Sequence, residues 1–74
     1  MEYTVVLHPA EEGGYWVESP ALHGCYSQGE TVEEAMANMR EAIETHFMAL
    51  KEDRQPIPKE EGFMIARVAV AIAA

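Results

Sequence analysis

Apolar and polar positions alternate along three short segments near the start of the chain: Tyr3 to His8, Tyr15 to Glu18 and Cys25 to Gln28. Alternation of this kind, in segments rich in β-branched and aromatic residues, predicts half-buried β-strands. A loop containing Gly13 and Gly14 joins the first two segments, and these glycines can supply the positive φ of a hairpin return. Because the three segments are so close in sequence, we expect an antiparallel meander.

A helical period replaces the alternation after the third segment. Residues 31–34 form a capping box, in which the Thr31 side chain accepts from the Glu34 amide and Glu34 reaches back to the Thr31 amide. The helix should end near Asp53, because the prolines that follow cannot continue it. Its apolar residues fall within one stripe, which predicts that it lies on one face of the sheet. The stripe comprises Val32, Ala35, Met36, Met39, Ile43, His46, Phe47 and Leu50.

Alternation returns in the last apolar segment, Phe63 to Ile72, which predicts a fourth strand. Both faces of this segment are largely apolar, and a single helix can cover only one face of a sheet. We therefore expect a homo-oligomer, a dimer or larger, with Val68, Val70 and Ile72 at its interface.

Length and charge restrict the class of protein further. The 74 residues are enough for one domain, residues 1–74, and they carry 13 acidic against five basic residues, a formal net charge of −8. The five basic residues are dispersed among acids, so one chain is not expected to bind DNA or RNA directly, since that requires clustered Lys and Arg. An acidic surface suits a basic protein partner, through complementary fields, although the charge also serves solubility alone.

Cysteine content and terminal patterns favour a cytoplasmic protein. The start of the chain has no basic segment followed by an apolar run, as a signal peptide would, and the apolar run from Phe63 is too short to cross a membrane as a helix. Cys25 is the single cysteine, which excludes an intramolecular disulfide and fits a reducing compartment. The three histidines are scattered over different elements, so we expect no metal site and no cofactor.

The candidate catalytic residues have simpler structural interpretations. His23 lies two residues before Cys25, but no Asn or Asp orients the pair, and Cys25 is better interpreted as a small buried side chain. A residual metal-dependent nuclease would have to rely on Glu2 and Glu18. We therefore expect a non-catalytic, protein-binding domain. Its candidate partner-binding residues are Trp16, Glu18, Glu41, Glu44 and Met48.

Three consecutive motifs carry a resemblance to a known family. A turn of the form P-x-L-x-G-C is followed by a G-x-T step and then by E-A at the start of the helix. In this order and spacing the motifs resemble the HicB-like antitoxin family, over nearly the whole chain. The matching residues are mainly architectural: Pro20, Leu22, Gly24, Cys25, Gly29, Thr31, Glu34 and Ala35.

The resemblance implies an α+β fold of order β-β-β-α-β, described as a partial ribonuclease H-like fold. It also implies a domain that binds and neutralises a small basic ribonuclease toxin of the HicA type. His23 and Ala21 depart from the residues common in the family's turn. Many members carry a C-terminal DNA-binding domain, and the chain ends after the predicted fourth strand, so operator binding is not expected of it. The alternative is a stand-alone homo-oligomeric interaction module with another protein partner.

Overall fold

The computed structural model describes residues 1–73, and Ala74 lies outside the described part. It contains three strands and one helix in the order β1 (Val6–Pro9), β2 (Tyr15–Glu18), β3 (Tyr26–Gly29) and α1 (Val32–Glu52). The predicted α+β class is therefore confirmed for the meander and the helix.

The three strands form one antiparallel sheet in the order β1-β2-β3, as predicted. His8 pairs with Trp16, and Glu18 lies between Val6 of β1 and Tyr26 of β3. β1 starts three residues later than predicted. The same register places Thr4 opposite Pro20, and proline has no N–H to donate to a ladder. The Thr4 carbonyl instead accepts from Ser19 Oγ at 3.0 Å.

The helix begins at the predicted cap. Thr31 is the N-cap, with an extended φ of −124°, and its Oγ1 accepts from the Glu34 amide at 3.1 Å. The predicted contact of the Glu34 side chain with the Thr31 amide was wrong by one residue. The Glu34 carboxylate accepts from the Glu30 amide instead, at 3.2 Å. α1 ends at Glu52 with Asp53 as its C-cap, also as predicted.

A small core lies between the sheet and α1. It contains Val17, Leu22, Cys25, Ala35 and Met39, each no more than 4% exposed. Cys25 is thus a buried apolar side chain, as predicted. α1 packs mainly over β3 and β2, and Gly29 of β3 permits this, because a Cβ there would lie 2.4 Å from the Ala35 backbone nitrogen.

The predicted fourth strand is not formed. Phe63 to Ala73 has no strand pairing, and its side chains are exposed. The chain reaches the sheet at Glu60, whose carboxylate accepts from the Thr4 amide and hydroxyl at 2.6 and 2.8 Å. It then turns at Gly62, where φ is +33°, and continues without a hydrogen-bonding neighbour. Alternation alone does not make a strand, because a strand also needs a partner.

One further prediction is affected by the missing strand: the ribonuclease H-like relation depended on a fourth strand and stays a prediction. Met64, which lies in this segment, is 91% exposed. Within residues 1–73, no helix is both long enough and apolar enough to cross a membrane.

Candidate protein-binding surface

The face of the sheet opposite α1 carries no covering element within the described chain. Val17 points into the core and is completely buried. Because side chains alternate along a strand, its neighbours Trp16 and Glu18 project from the opposite face. The antiparallel register then brings His8 of β1 and Tyr26 of β3 to the same face.

These four residues, His8, Trp16, Glu18 and Tyr26, form a connected surface that we call the outer platform. The His8 and Trp16 rings stack with centroids 4.1 Å apart and an interplanar angle of 16°. Trp16 meets Tyr26 at 6.3 Å and 56°, a tilted aromatic contact. His8 Nε2 and Glu18 Oε2 are 2.6 Å apart, and since a carboxylate only accepts, the imidazole N–H is the donor.

The side chains of the outer platform contact one another and are also accessible to a partner. Trp16 is 36% exposed and Tyr26 is 61% exposed, so both rings offer apolar area to a partner. Their contacts with each other and with His8 fix the side chains before any partner arrives, which lowers the entropy cost of binding. Aromatic rings beside a carboxylate suit a partner that presents Lys or Arg, through ion pairing and cation–π contacts.

An acidic cleft adjoins the outer platform at Trp16. It is lined by Gln28 and by four glutamates, from the β1–β2 loop and from the start of α1. The four are Glu11, Glu12, Glu30 and Glu34. They extend the negative field of the platform, and the lining residues in the described part of the chain include no lysine or arginine. A basic protein would therefore be attracted towards this side of the molecule.

The structure separates the partner-binding residues predicted from the sequence. Trp16 and Glu18 lie together on the outer platform. Glu41, Glu44 and Met48 lie on exposed positions of α1, which packs against the other face of the sheet. Glu41 lines a cleft that Tyr26 of the outer platform also lines, whereas Glu44 lines a different, apolar groove together with Met36 and Phe47. The predicted oligomer-interface residues stand apart from both groups, in the C-terminal segment: Val68, Val70 and Ile72 are 83%, 77% and 89% exposed.

Several motif residues occupy core, turn or cap positions in the fold. Leu22, Cys25 and Ala35 belong to the core, and Gly24 adopts a φ of +79° in the turn before β3. Gly29 and Thr31, described above, set the approach of α1 to the sheet and its first turn.

The sequence interpretation missed two members of the outer platform. Neither His8 nor Tyr26 was among the partner-binding residues predicted from the sequence. Their contacts are diagonal between strands, and only the pairing register reveals them. The length of the loop around Gly13 and Gly14 determines that register in principle. However, an error of one residue in the predicted register would place every side chain of the strand on the wrong face of the sheet.

The structure also tests two arrangements considered from the sequence, a metal site and a pair formed by Cys25 and His23. Within residues 1–73, no group of three His, Cys, Asp or Glu side chains is placed to hold a metal ion. Burial raises the pKa of the Cys25 thiol, which disfavours the thiolate that a nucleophile requires. His23 is exposed while Cys25 is buried, so the two do not form a thiolate–imidazole pair.

Comparison with known proteins connects this fold to one family. The family model described as "HicB_like antitoxin of bacterial toxin-antitoxin system" matches residues 3–69. A UPF0150 protein of Synechocystis is 49% identical over 59 residues, which cover 80% of this chain and 75% of that protein. A UPF0150 protein of Thermoplasma acidophilum is 43% identical over 60 residues, covering 81% and 87% of the two chains.

A third relative carries a functional name. The protein named Antitoxin HicB 1 of Photorhabdus laumondii is 43% identical over 58 residues, which cover 78% of this chain but only 37% of that protein. The similarity to this larger relative is thus confined to about one third of its length.

Proposed function

The chain belongs to the HicB-like antitoxin family of bacterial toxin–antitoxin systems, and we propose that it binds and neutralises a small basic ribonuclease toxin of the HicA type without catalysing a reaction. The outer platform is the observation that carries this proposal. It offers exposed, preorganised aromatic rings and a carboxylate, next to an acidic cleft, on a face that the chain's own helix leaves uncovered.

Charge supports the choice of a basic partner. The chain has 13 acidic and five basic residues, and the cleft beside Trp16 contributes four of the acids. A ribonuclease must bind phosphates and therefore presents Lys and Arg at its active site. An acidic surface that covers those side chains would block access of RNA.

The first experiment is co-expression with the basic product of a neighbouring gene, followed by co-purification and an RNA-cleavage assay. We expect a stable complex, and we expect cleavage to stop once the antitoxin reaches the toxin's molar concentration. Failure to form a complex with any neighbouring product would contradict the proposal.

A matched pair of variants then tests the surface. Tyr26 and Met48 are similarly exposed, at 61% and 65%, but they lie on the outer platform and on α1 respectively. We expect Tyr26→Ala to raise the Kd for the toxin at least about tenfold, as expected for an interface hot spot. Met48→Ala should leave the Kd unchanged. The reverse result would assign binding to the face of α1, as Glu41, Glu44 and Met48 suggested from sequence.

The second candidate function is a stand-alone homo-oligomeric interaction module. The exposed apolar segment after Gly62 favours it, because such a segment is a joining surface rather than a solvated tail. This function predicts self-association in the absence of any toxin, which light scattering of the purified chain measures directly.

A further inference from the structure

The segment from Phe63 to Ala73, which we call the C-terminal arm, belongs to no helix or strand and is exposed although it is largely apolar. As a strand it would carry Met64, Ala66, Val68, Val70 and Ile72 on one face. The Cα radius of gyration of the chain is 15.2 Å, whereas a compact domain of this length would have about 11 Å. The arm therefore projects from the domain and leaves large apolar side chains in water.

The sheet has an open edge at which one more strand could pair. β1 is an edge of the sheet, and α1 packs over β3 and β2 and leaves the β1 side less covered. Because α1 does not cover β1, an apolar groove lies between the start of β1 and α1. It is lined mainly by Met1, Tyr3, Val5, Met36, Ile43 and Phe47.

The chain's own arm contributes no described residue to this groove. The Tyr3 hydroxyl donates to the Pro58 carbonyl at 2.5 Å, and Glu60 binds Thr4, so the connection is fixed at the start of β1. Two residues later Gly62 adopts its φ of +33° and the chain leaves the sheet. Within the described residues no strand pairs with the outer edge of β1, from Val6 to Pro9, and this edge can accept a strand from another molecule.

We propose that the C-terminal arm of a second copy of this chain adds to the outer edge of β1, and that two copies exchange arms around a two-fold axis. The even-numbered face of each arm, from Met64 to Ile72, enters the groove of the other copy. Strand addition pairs the backbone groups that both the arm and the edge leave open. This proposal concerns self-association and does not depend on a toxin.

The area available is sufficient for a stable dimer. Each large apolar side chain contributes about 60–120 Å² of apolar surface on burial. In the dimer each arm would bury Met64, Val68 and Val70 together with Ile72. The apolar surface buried by the two arms would then be on the order of 500–1,000 Å², not counting the groove residues that they cover. A standard interface buries about 1,600 Å² in total, so arms and grooves together reach the usual size.

The first test compares two faces of the same arm. Multi-angle light scattering of the native chain should give twice the chain mass of 8.2 kDa. Val68→Asp combined with Val70→Asp should give a monomer with an unchanged helical circular dichroism spectrum, because both positions are exposed within the single chain. The control, Ala69→Asp with Ala71→Asp, changes the other face and should remain a dimer. A native mass of 8.2 kDa, or a dimer that survives the first pair, would overturn the proposal.

The second test identifies the edge and the donor of the arm. Met36 lines the groove and is 42% exposed, so Met36→Cys can be combined with a cysteine at each position from Met64 to Val70 in turn. Native Cys25 does not interfere, since its thiol is buried. We expect disulfide-linked dimers on a non-reducing gel from even-numbered arm positions only. Disulfides within one chain would show that the arm returns to its own sheet, and absence of any cross-link would show that another surface joins the copies.

Discussion

Gly29→Ala should destabilise the fold strongly, because the added methyl group would lie where α1 touches β3. A Cβ at Gly29 would lie 2.4 Å from the Ala35 nitrogen and 2.8 Å from both Ala35 Cα and the Glu34 carbonyl carbon. All three are backbone atoms of the first helical turn, and Ala35 N already donates to the Thr31 carbonyl at 2.9 Å. Only a shift of the whole helix start can relieve the contact.

The expected cost follows from that geometry. Overpacking typically costs about 1–3 kcal/mol, and we expect about 3 kcal/mol here because no flexible side chain can move aside. In a domain of this size the melting temperature would fall by roughly 12–24 °C. Thermal unfolding followed by circular dichroism at one fixed protein concentration measures this directly.

Gly24→Ala is the matched control. Gly24 has a φ of +79° but no atom within 4 Å of its Cβ position, so the substitution adds only left-handed backbone strain, about 1–2 kcal/mol. Gly29→Ala should therefore melt well below Gly24→Ala. The reasoning is refuted if Gly29→Ala melts at or above the temperature of the control.

Three further predictions concern single side chains. Thr31→Ala should lower stability by about 1 kcal/mol through loss of the N-cap, a fall in Tm of about 4–8 °C; an unchanged Tm would contradict the cap. Glu60→Ala should cost about 1 kcal/mol by removing two hydrogen bonds to Thr4, whereas Glu61→Ala, an exposed neighbour, should cost nothing measurable in the same denaturation experiment. Burial raises the pKa of Cys25, so the native state holds the thiol proton more tightly than the unfolded state. Its contribution to stability is therefore complete below the ordinary thiol pKa and is lost as pH rises through the raised one. Urea titrations from pH 7 to pH 10 should show this loss in the native chain and not in Cys25→Ala.

Local sequence patterns were sufficient to predict the parts of the fold that depend on residues close together in the chain. The limits of β2 and the cap at Thr31 were predicted correctly, because alternation and capping act within a few residues. β1 was predicted too long, since its true start depends on Pro20, which lies opposite Thr4 only after the hairpin has formed. The carboxylate of Glu34 reached Glu30 rather than Thr31, a difference of side-chain geometry that composition does not encode.

The outer platform shows a different limit. Trp16 and Glu18 could be selected from sequence as an exposed aromatic residue and its acidic neighbour. The contacts of Trp16 and Glu18 with His8 and Tyr26 depend on the pairing register of β1 with β2 and of β2 with β3. The residue type at one position does not indicate that register. The separation of Trp16 from Met48 likewise becomes visible only once the sheet has one covered and one open face.

The two proposed surfaces are coupled by the geometry of a strand. If an arm lies along β1 with its even-numbered face in the groove, its odd-numbered side chains, Ile65 and Arg67 among them, project from the opposite face of the sheet. That is the face of the outer platform, immediately beside His8. Arm exchange would then complete the partner-binding surface with residues from the second copy, and a dimer would present two such surfaces. Tyr26→Ala would weaken toxin binding while the dimer mass stays unchanged, whereas the Val68 and Val70 substitutions would remove the dimer first, so the two proposals can fail separately.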